Sequence, residues 1–140
     1  MPMNKVLIDT NILIYSIDED SIYFKESQNI ILNKNNDLYT TSKNLTEFLT
    51  VITRYPKSSL PIQKAIEIIH DFTDIMTILY PTNHSYQIFI NLLNKYKPSG
   101  LKIHDFEIIS IGLAHHILDI ATINIKDFKD VSEMNIFKNQ

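Results

Sequence analysis

The feature that most constrains the fold is the alternation of short apolar runs with longer segments of helical spacing. The apolar runs have the length of buried strands and lie at residues 6–8, 38–41, 76–80 and 120–123. The segments with helical spacing lie at residues 11–16, 21–34, 42–54, 61–73, 83–96 and 104–118. Strands that alternate with helices in this way predict an α/β protein with a mainly parallel sheet covered by helices.

Local signals support these boundaries and indicate one domain. Ser42 and Thr82 are predicted N-caps, and Pro61 suits the first turn of a helix. The break at residues 56–60 is too short for a domain linker, and no repeat or charge block divides the chain. We therefore predict a single domain over residues 1–140.

Hydropathy predicts a chain without a membrane span or secretory signal. No apolar stretch approaches the ~18 residues that a membrane span requires. Asp9 interrupts the first apolar run before the core of a signal peptide can form. We therefore expect no membrane partner and a cytoplasmic location.

Charge and composition exclude several classes of function. The net charge of -3 argues against a protein that coats nucleic acid, although it permits an enzyme that acts on it. Only two glycines are present, so Gly-rich phosphate-binding loops are excluded. The chain has no cysteine, and any metal must therefore have oxygen or imidazole ligands.

Two carboxylates stand in positions where their apolar neighbours predict burial. Asp9 ends the first apolar run and begins the sequence Asp-Thr-Asn, which places it at the edge of the predicted sheet, where ligands bind in open α/β folds. Asp105 shares a helical face with Ile108 and Ile109. A buried carboxylate is rare unless it is paired or bound to a cation. The structural alternatives are that Asp9 caps the helix near residue 11 and that Asp105 lies in a first helical turn at the rim of the core.

The other polar candidates carry weaker signals. Glu47 lies off the centre of the apolar stripe of its helix, which by pattern alone indicates a solvated surface residue. Thr122 and Asn124 are predicted to share one face of the last strand, and Asp127 is predicted to lie in the following turn.

Taken together, the order and separation of these residues resemble the PIN domain, most closely the small ribonuclease toxins of the VapC type. The motifs are Asp-Thr-Asn after the first strand, Glu47 after the second, His104-Asp105 opening a late helix, and Thr122-x-Asn124-x-x-Asp127 after a later strand. The resemblance spans nearly the whole chain. It implies a three-layer α/β/α sandwich and an endoribonuclease that depends on Mg²⁺ or Mn²⁺.

The resemblance also implies roles for individual residues. Asp9, Glu47 and Asp105 correspond to the acids that hold the metal and carry catalysis. Asn11 and Thr122 correspond to residues that position ligands or water.

At the fourth acidic position this chain departs from the fully acidic pattern. Asn124 stands where many family members have Asp, although Asn also occurs there. The site is completed either by Asn124, which its place in the motif favours, or by Asp127 from the following turn. The neutral Asn124 leaves open an alternative function, a PIN-like binding module for RNA or protein that has lost catalysis. A receiver-like phospho-acceptor would need a further acidic pair near the first strand. A haloacid-dehalogenase-like phosphatase would need Asp at position 11, where this chain has Asn11.

The partners implied by the resemblance are an RNA substrate, a small antitoxin protein and, in a homodimer, a second copy of the chain. The amphipathic segments at residues 21–33 and 42–55 are candidates for an antitoxin groove, with core-facing helices as the structural alternative.

Overall fold

The computed structural model describes residues 3–56 and 58–139, which form a sheet with helices on both faces. The strands are β1 (Asn4–Ile8), β2 (Asn36–Thr41), β3 (Thr77–Leu79), β4 (Asp119–Ala121) and β5 (Asn135–Ile136). The helices are α1 (Thr10–Tyr15), α2 (Phe24–Leu32), α3 (Ser42–Ile52), α4 (Ile62–Ile75), α5 (Asn83–Tyr96), α6 (Lys102–Ala114) and α7 (Ile125–Phe128). The strand order is β3-β2-β1-β4-β5, and every neighbouring pair is parallel. The predicted α/β/α fold with a parallel sheet is therefore confirmed.

The central strand β1 is buried on both faces, as a strand covered by helices on both sides must be. Val6 and Ile8 point into one hydrophobic cluster, with residues of α1 to α4. Leu7 points into the other, with residues of α5 and α6. Successive side chains of a strand alternate between faces, so these three residues fasten both helical layers to the sheet.

Helix α6 is buried on most of its circumference rather than along one stripe. Its buried residues Phe106, Ile108, Ile109, Ser110, Ile111 and Gly112 are nearly consecutive. Gly112 permits a close approach to β1, because a Cβ atom there would lie 2.9 Å from Leu7 Cδ2. None of the helices in residues 3–56 and 58–139 is long and apolar enough to cross a membrane.

The chain reverses its direction of travel across the sheet between β1 and β4. From β1 it moves outward through β2 to β3, and it then returns to the opposite side of β1 to form β4 and β5. The carboxyl ends of β1 and β4 therefore flank a topological switch point. In open α/β sheets, this crevice is where ligands bind.

Several predicted details are wrong for local reasons. Thr41, and not Ser42, is the N-cap of α3, because the Thr41 side chain accepts from the Asn44 N–H in a capping box. Thr82 caps α5 as predicted. Strand β4 ends at Ala121, so Thr122 and Asn124 do not share a strand face.

The short elements at the end of the chain also differ from the sequence prediction. The turn expected around Asp127 is the four-residue helix α7. Strand β5 contains two residues, too few for a recognisable pattern, and pairs with β4.

Candidate active site

Asp9 follows β1 directly and lies at the switch point. Its backbone N–H donates to the Ala121 carbonyl at 3.0 Å, which joins the end of β1 to the end of β4. Its buried side chain caps α1 by accepting from the Thr10 N–H through Oδ1 at 2.9 Å. The capping role considered from the sequence is therefore present. It leaves the second carboxylate oxygen for other partners.

Two polar side chains hold that second oxygen, Oδ2 of Asp9. The Thr122 hydroxyl donates to it at 2.8 Å, and the Asn11 amide donates to it at 3.3 Å. The Asn11 carbonyl oxygen accepts from the Ile123 N–H at 3.1 Å, so Asn11 also ties α1 to the loop after β4. These contacts are the kind that a positioning role requires, and that role stays a prediction.

Asn44 is a further partner of Asp9 that sequence reasoning missed. The Asn44 side-chain amide donates to the Thr10 hydroxyl at 3.0 Å and lies 3.5 Å from Asp9 Oδ1. Its carbonyl oxygen accepts from the Thr41 N–H at 3.2 Å and from the Thr41 hydroxyl at 2.7 Å. A single buried amide therefore links the start of α3 to the start of α1.

A signal for Asn44 is present in the helical spacing. Asn44, Phe48 and Ile52 are the buried residues of α3 and are four positions apart. A polar residue in the buried stripe of a helix must have hydrogen-bond partners, which makes it a site candidate. The predicted stripe of α3 was defined by its apolar residues alone. It therefore did not include Asn44, although Asn44 is buried together with Phe48 and Ile52.

Burial changes the acidity of Asp9. It raises the pKa of Asp9 from 3.8 to about 6, because the charged carboxylate loses its hydration. The hydrogen bonds from Thr122 and Thr10 act in the opposite direction, and the negative charges of Glu47 and Asp127 add to the rise. Ionising Asp9 in the folded protein therefore costs free energy, because the buried carboxylate has lost its hydration.

Asp105 is the second perturbed acid and lies half-buried in the first turn of α6. The first-turn position considered from the sequence is therefore observed. Burial raises the pKa of Asp105 from 3.8 to about 6, and the charges of Asp9, Asp127 and Glu47 contribute to the same rise. Lys102 lowers the pKa of Asp105 as the smallest of these effects. The charges of Glu47 and Asp127 therefore raise the pKa values of both Asp9 and Asp105.

Glu47 and Asp127 bring the number of interacting acids to four. Glu47 is exposed on α3, as its sequence pattern indicated, and Asp127 is partly exposed on α7. Their charges act on both perturbed acids. Asn124 is exposed at the start of α7, where its backbone N–H donates to Thr122 Oγ1 at 3.0 Å. Between the two candidates for the fourth position, Asp127 is the one whose charge reaches the buried acids.

The four acids form an electrostatic cluster, and in the part of the chain that the structure describes none of them forms an ion pair. Within residues 3–56 and 58–139, the ion pairs join Lys43 with Glu107, Lys64 with Glu67 and Lys95 with Glu133, and none includes these acids. In the same part of the chain, no group of three or more His, Asp or Glu side chains is arranged so that it could hold a metal ion.

The fold and site define a parallel α/β protein with an acidic cluster at the switch point of its sheet. Comparison with models of protein families identifies the family to which the chain belongs. The model of the PIN domain family matches residues 6–133, and the chain belongs to that family, which consists of nucleases. No curated protein matches the sequence significantly.

Solved structures with the same fold include several toxin-antitoxin proteins. A chain of VapBC2 from Rickettsia felis, bound to a DNA fragment from its promoter, is 20% identical with a TM-score of 0.72, covering 95% of this chain and 97% of that one. VapC20 of Mycobacterium tuberculosis, a toxin that cleaves the sarcin-ricin loop, is 9% identical with a TM-score of 0.72, covering 90% and 95%. A chain of DNA-bound VapBC from Salmonella typhimurium is 24% identical with a TM-score of 0.67, covering 96% and 98%. At these identities the likeness establishes the fold.

Proposed function

We propose that this protein is a metal-dependent endoribonuclease that hydrolyses RNA phosphodiester bonds and acts as the toxin of a toxin-antitoxin pair. The observation that carries the proposal is the pair of acids at the switch point, Asp9 and Asp105, each with a pKa raised to about 6. Perturbed carboxyl groups that converge at a ligand-binding edge are typical of functional sites. Membership of a nuclease family supports the same conclusion.

The acids fit a hard divalent cation, Mg²⁺ or Mn²⁺, by the chemistry of their donor atoms. Asp9, Asp105 and Glu47 each offer carboxylate oxygens, the donors that such cations prefer. A positive charge between Asp9 and Asp105 would offset both the desolvation and the mutual repulsion that raise their pKa values. Glu47 is exposed, so a change of rotamer could bring its carboxylate toward the other two.

When bound, the cation would stabilise the negative charge that develops on the phosphate during hydrolysis. The residues of the chain supply the arrangement around it. Asn11, Asn44 and Thr122 fix the orientation of the Asp9 carboxylate through hydrogen bonds. In the proposed reaction, Asp9 and Asp105 would hold the cation, and Glu47 would bind it as well or orient the attacking water. Asp127 completes the acidic cluster.

The solved relatives support a partner as well as an activity. Structures of VapBC from Rickettsia felis, Haemophilus influenzae and Salmonella typhimurium and of a Klebsiella pneumoniae toxin-antitoxin complex share this fold. We therefore propose that a small antitoxin protein binds this chain in the cytoplasm. A homodimer and a single domain over residues 1–140 are part of the same proposal.

Cleavage mapping on total RNA tests this function. Purified protein is incubated with Mg²⁺, with Mn²⁺ and with chelator, and the cut ends are sequenced. We expect discrete cuts that need the cation and that disappear with Asp9→Asn. Asp74→Asn, which removes an exposed acid of α4, is the control. Metal-independent cutting, or cutting that survives Asp9→Asn, would contradict the proposal. RNA binding without any cutting would favour the catalytically inactive binding module.

A further inference from the structure

The first turn of α6 carries Asp105 without the usual support of a helix start. It follows a connection from α5 in which Lys97 and Gly100 have left-handed backbone conformations, with φ of 50° and 64°. The N-cap residue Leu101 makes no side-chain hydrogen bond to the helix. Within residues 3–56 and 58–139, Asp105 forms no ion pair. The position of Asp105 therefore depends on the packing of the residue that follows it, Phe106.

The aromatic ring of Tyr96 supplies that packing. Tyr96 is the last residue of α5, and its ring centroid lies 5.4 Å from that of Phe106, with 32° between the two planes. This separation is in the range of favourable aromatic pairs. Phe106 is 2% exposed and directly follows Asp105, so the contact between the rings fixes the turn of α6 that carries Asp105.

The hydroxyl group of Tyr96 joins this contact to the segment that follows α7. It donates to Glu133 Oε1 at 2.5 Å and accepts from the Ser132 N–H at 3.1 Å. The Lys95 ammonium donates to the other Glu133 oxygen at 2.7 Å. Although burial acts in the opposite direction, the hydrogen bonds from Lys95 and Tyr96 lower the pKa of Glu133 from 4.5 to about 2. Glu133 is therefore charged at neutral pH, and hydrogen bonds to a charged group are the strong ones.

The segment after α7 determines the position of α7, which carries Asp127. A helix of four residues has too few internal hydrogen bonds to be stable alone. The Val131 N–H donates to the carbonyl of Phe128, the last residue of α7, at 3.1 Å. Phe128 is buried and follows Asp127 directly. Tyr96 therefore contacts α6, which carries Asp105, and the segment that anchors α7.

We propose that Tyr96 is a positioning residue that holds Asp105 and Asp127 in place relative to each other. Its ring acts on Asp105 through Phe106, and its hydroxyl acts on Asp127 through the segment after α7. The proposal rests on the proposed ribonuclease function and adds a residue that acts on the site only through its neighbours. Residues that orient metal ligands from outside the ligand set typically change metal affinity or activity by about 10–100-fold when they are replaced.

Hydrogen exchange in chelator tests this support without metal or RNA. Tyr96→Leu removes the ring and the hydroxyl, and we expect it to lower amide protection at residues 106–109 at least about tenfold more than in α4. Tyr96→Phe keeps the ring, so it should lower protection at residues 128–134 and leave residues 106–109 near the parent. Tyr55→Phe is the matched control, because the partly buried Tyr55 donates its hydroxyl to Asp18 Oδ2 at 2.7 Å, between the segments after α1 and α3.

Metal binding and kinetics test whether this support matters to the site. The first probe is Mn²⁺ alone, measured by EPR, and the second is cleavage of one RNA at saturating Mn²⁺. We expect Tyr96→Leu to weaken Mn²⁺ binding and to lower kcat, each at least about tenfold. KM should change less than about twofold, because Tyr96 acts through other residues of the protein. Tyr96→Phe should show a smaller loss of each, and Tyr55→Phe should equal the parent.

The outcomes separate this proposal from the proposed function. Protection at residues 106–109 and 128–134 that is the same in Tyr96→Leu as in Tyr55→Phe would overturn the proposal, even if the protein cuts RNA. A raised KM with unchanged kcat would also overturn it, because Tyr96 would then contact the substrate. If Tyr96→Leu does not fold, equal protection and equal kcat in Tyr96→Phe and Tyr55→Phe would overturn it instead. A local loss of protection in a protein that neither binds Mn²⁺ nor cuts RNA would refute the nuclease function and leave the positioning role of Tyr96 standing.

Discussion

Replacing Asp9 by asparagine should make the metal-free protein more stable at neutral pH. The pKa of Asp9 is raised from 3.8 to about 6 in the folded chain. A group whose pKa is raised on folding favours the folded state below its unfolded pKa and loses that contribution as the pH rises through its folded pKa. The loss for Asp9 therefore falls between about pH 4 and about pH 6. The asparagine of the variant carries no charge and avoids this loss.

The magnitude follows from the shift and from the hydrogen bonds. Each pKa unit corresponds to about 1.4 kcal/mol, so the rise from 3.8 to about 6 corresponds to about 3 kcal/mol of stability lost at pH 8. Asparagine keeps the cap to the Thr10 N–H, but its amide group replaces the oxygen that accepts from Thr122 and Asn11. Losing that acceptor costs about 1–2 kcal/mol. The net gain for Asp9→Asn at pH 8 is therefore about 1–2 kcal/mol, or a rise in Tm of roughly 3–6 °C.

The assay is thermal unfolding in chelator at pH 8 and at pH 4.5, followed by the same measurement with Mg²⁺ at pH 8. The advantage of Asp9→Asn should shrink or reverse at pH 4.5, because Asp9 of the parent is then largely protonated while the lost hydrogen bond remains. Mg²⁺ should raise the Tm of the parent more than that of the variant. Asp74→Asn, at an exposed position, should follow the parent at both pH values.

An Asp9→Asn protein that melts below the parent at pH 8 in chelator would refute the electrostatic reasoning. If Mg²⁺ also left the Tm of both proteins unchanged, the metal-site proposal would fail with it. Asp9 would then be only a structural cap.

The other predictions concern activity and the support of Asp9. Asp9→Asn and Asp105→Asn should each lower Mg²⁺-dependent RNA cleavage by at least ~100-fold; near-normal rates in folded variants would exclude the proposed site. Asp127→Ala should lower kcat/KM more than Asn124→Ala, because the Asp127 charge reaches both perturbed acids and Asn124 is exposed; the reverse order would give the fourth position to Asn124, and no loss in either would remove both from the site. Asn44→Ala should lower the free energy of unfolding by about 2–3 kcal/mol, because it removes a fully buried amide and leaves its partners unpaired; a change below about 0.5 kcal/mol by chemical denaturation, typical of an ordinary surface substitution, would contradict this.

The sequence was sufficient to predict the architecture because the apolar runs of a buried parallel sheet are hard to mistake. Residues 6–8 and 38–41 fall within β1 and β2, and the helix predicted at 83–96 has the bounds of α5. The two-residue strand β5 could not be predicted, because its pairing with β4 depends on tertiary contacts rather than on a local pattern. The predicted helix 104–118 ends at Ala114, and a left-handed residue at His116 reverses the chain into β4.

Residues of the candidate site could be predicted only where one residue differs in charge from the apolar residues around it. Asp9 and Asp105 are charged residues among apolar ones, and this contrast is visible in the sequence. Glu47 and Asp127 are surface residues by pattern, and their relation to the buried acids depends on the position of α3 and α7 around the sheet edge. Asn44 was missed because an amide in a helix gives no charge signal, although it is fully buried.

The cap at Asp9 does not by itself account for a carboxylate at this position. Asparagine and aspartate are equally good helix caps, and asparagine carries no charge that burial would penalise. A carboxylate at the same place costs about 3 kcal/mol once it ionises, by the rise in its pKa from 3.8 to about 6. The surrounding acids increase that cost, and within residues 3–56 and 58–139 no lysine or arginine pairs with Asp9 to remove it. A helix cap alone does not require a carboxylate whose ionisation opposes folding, so this cost supports the proposed metal site, where a bound cation would offset it.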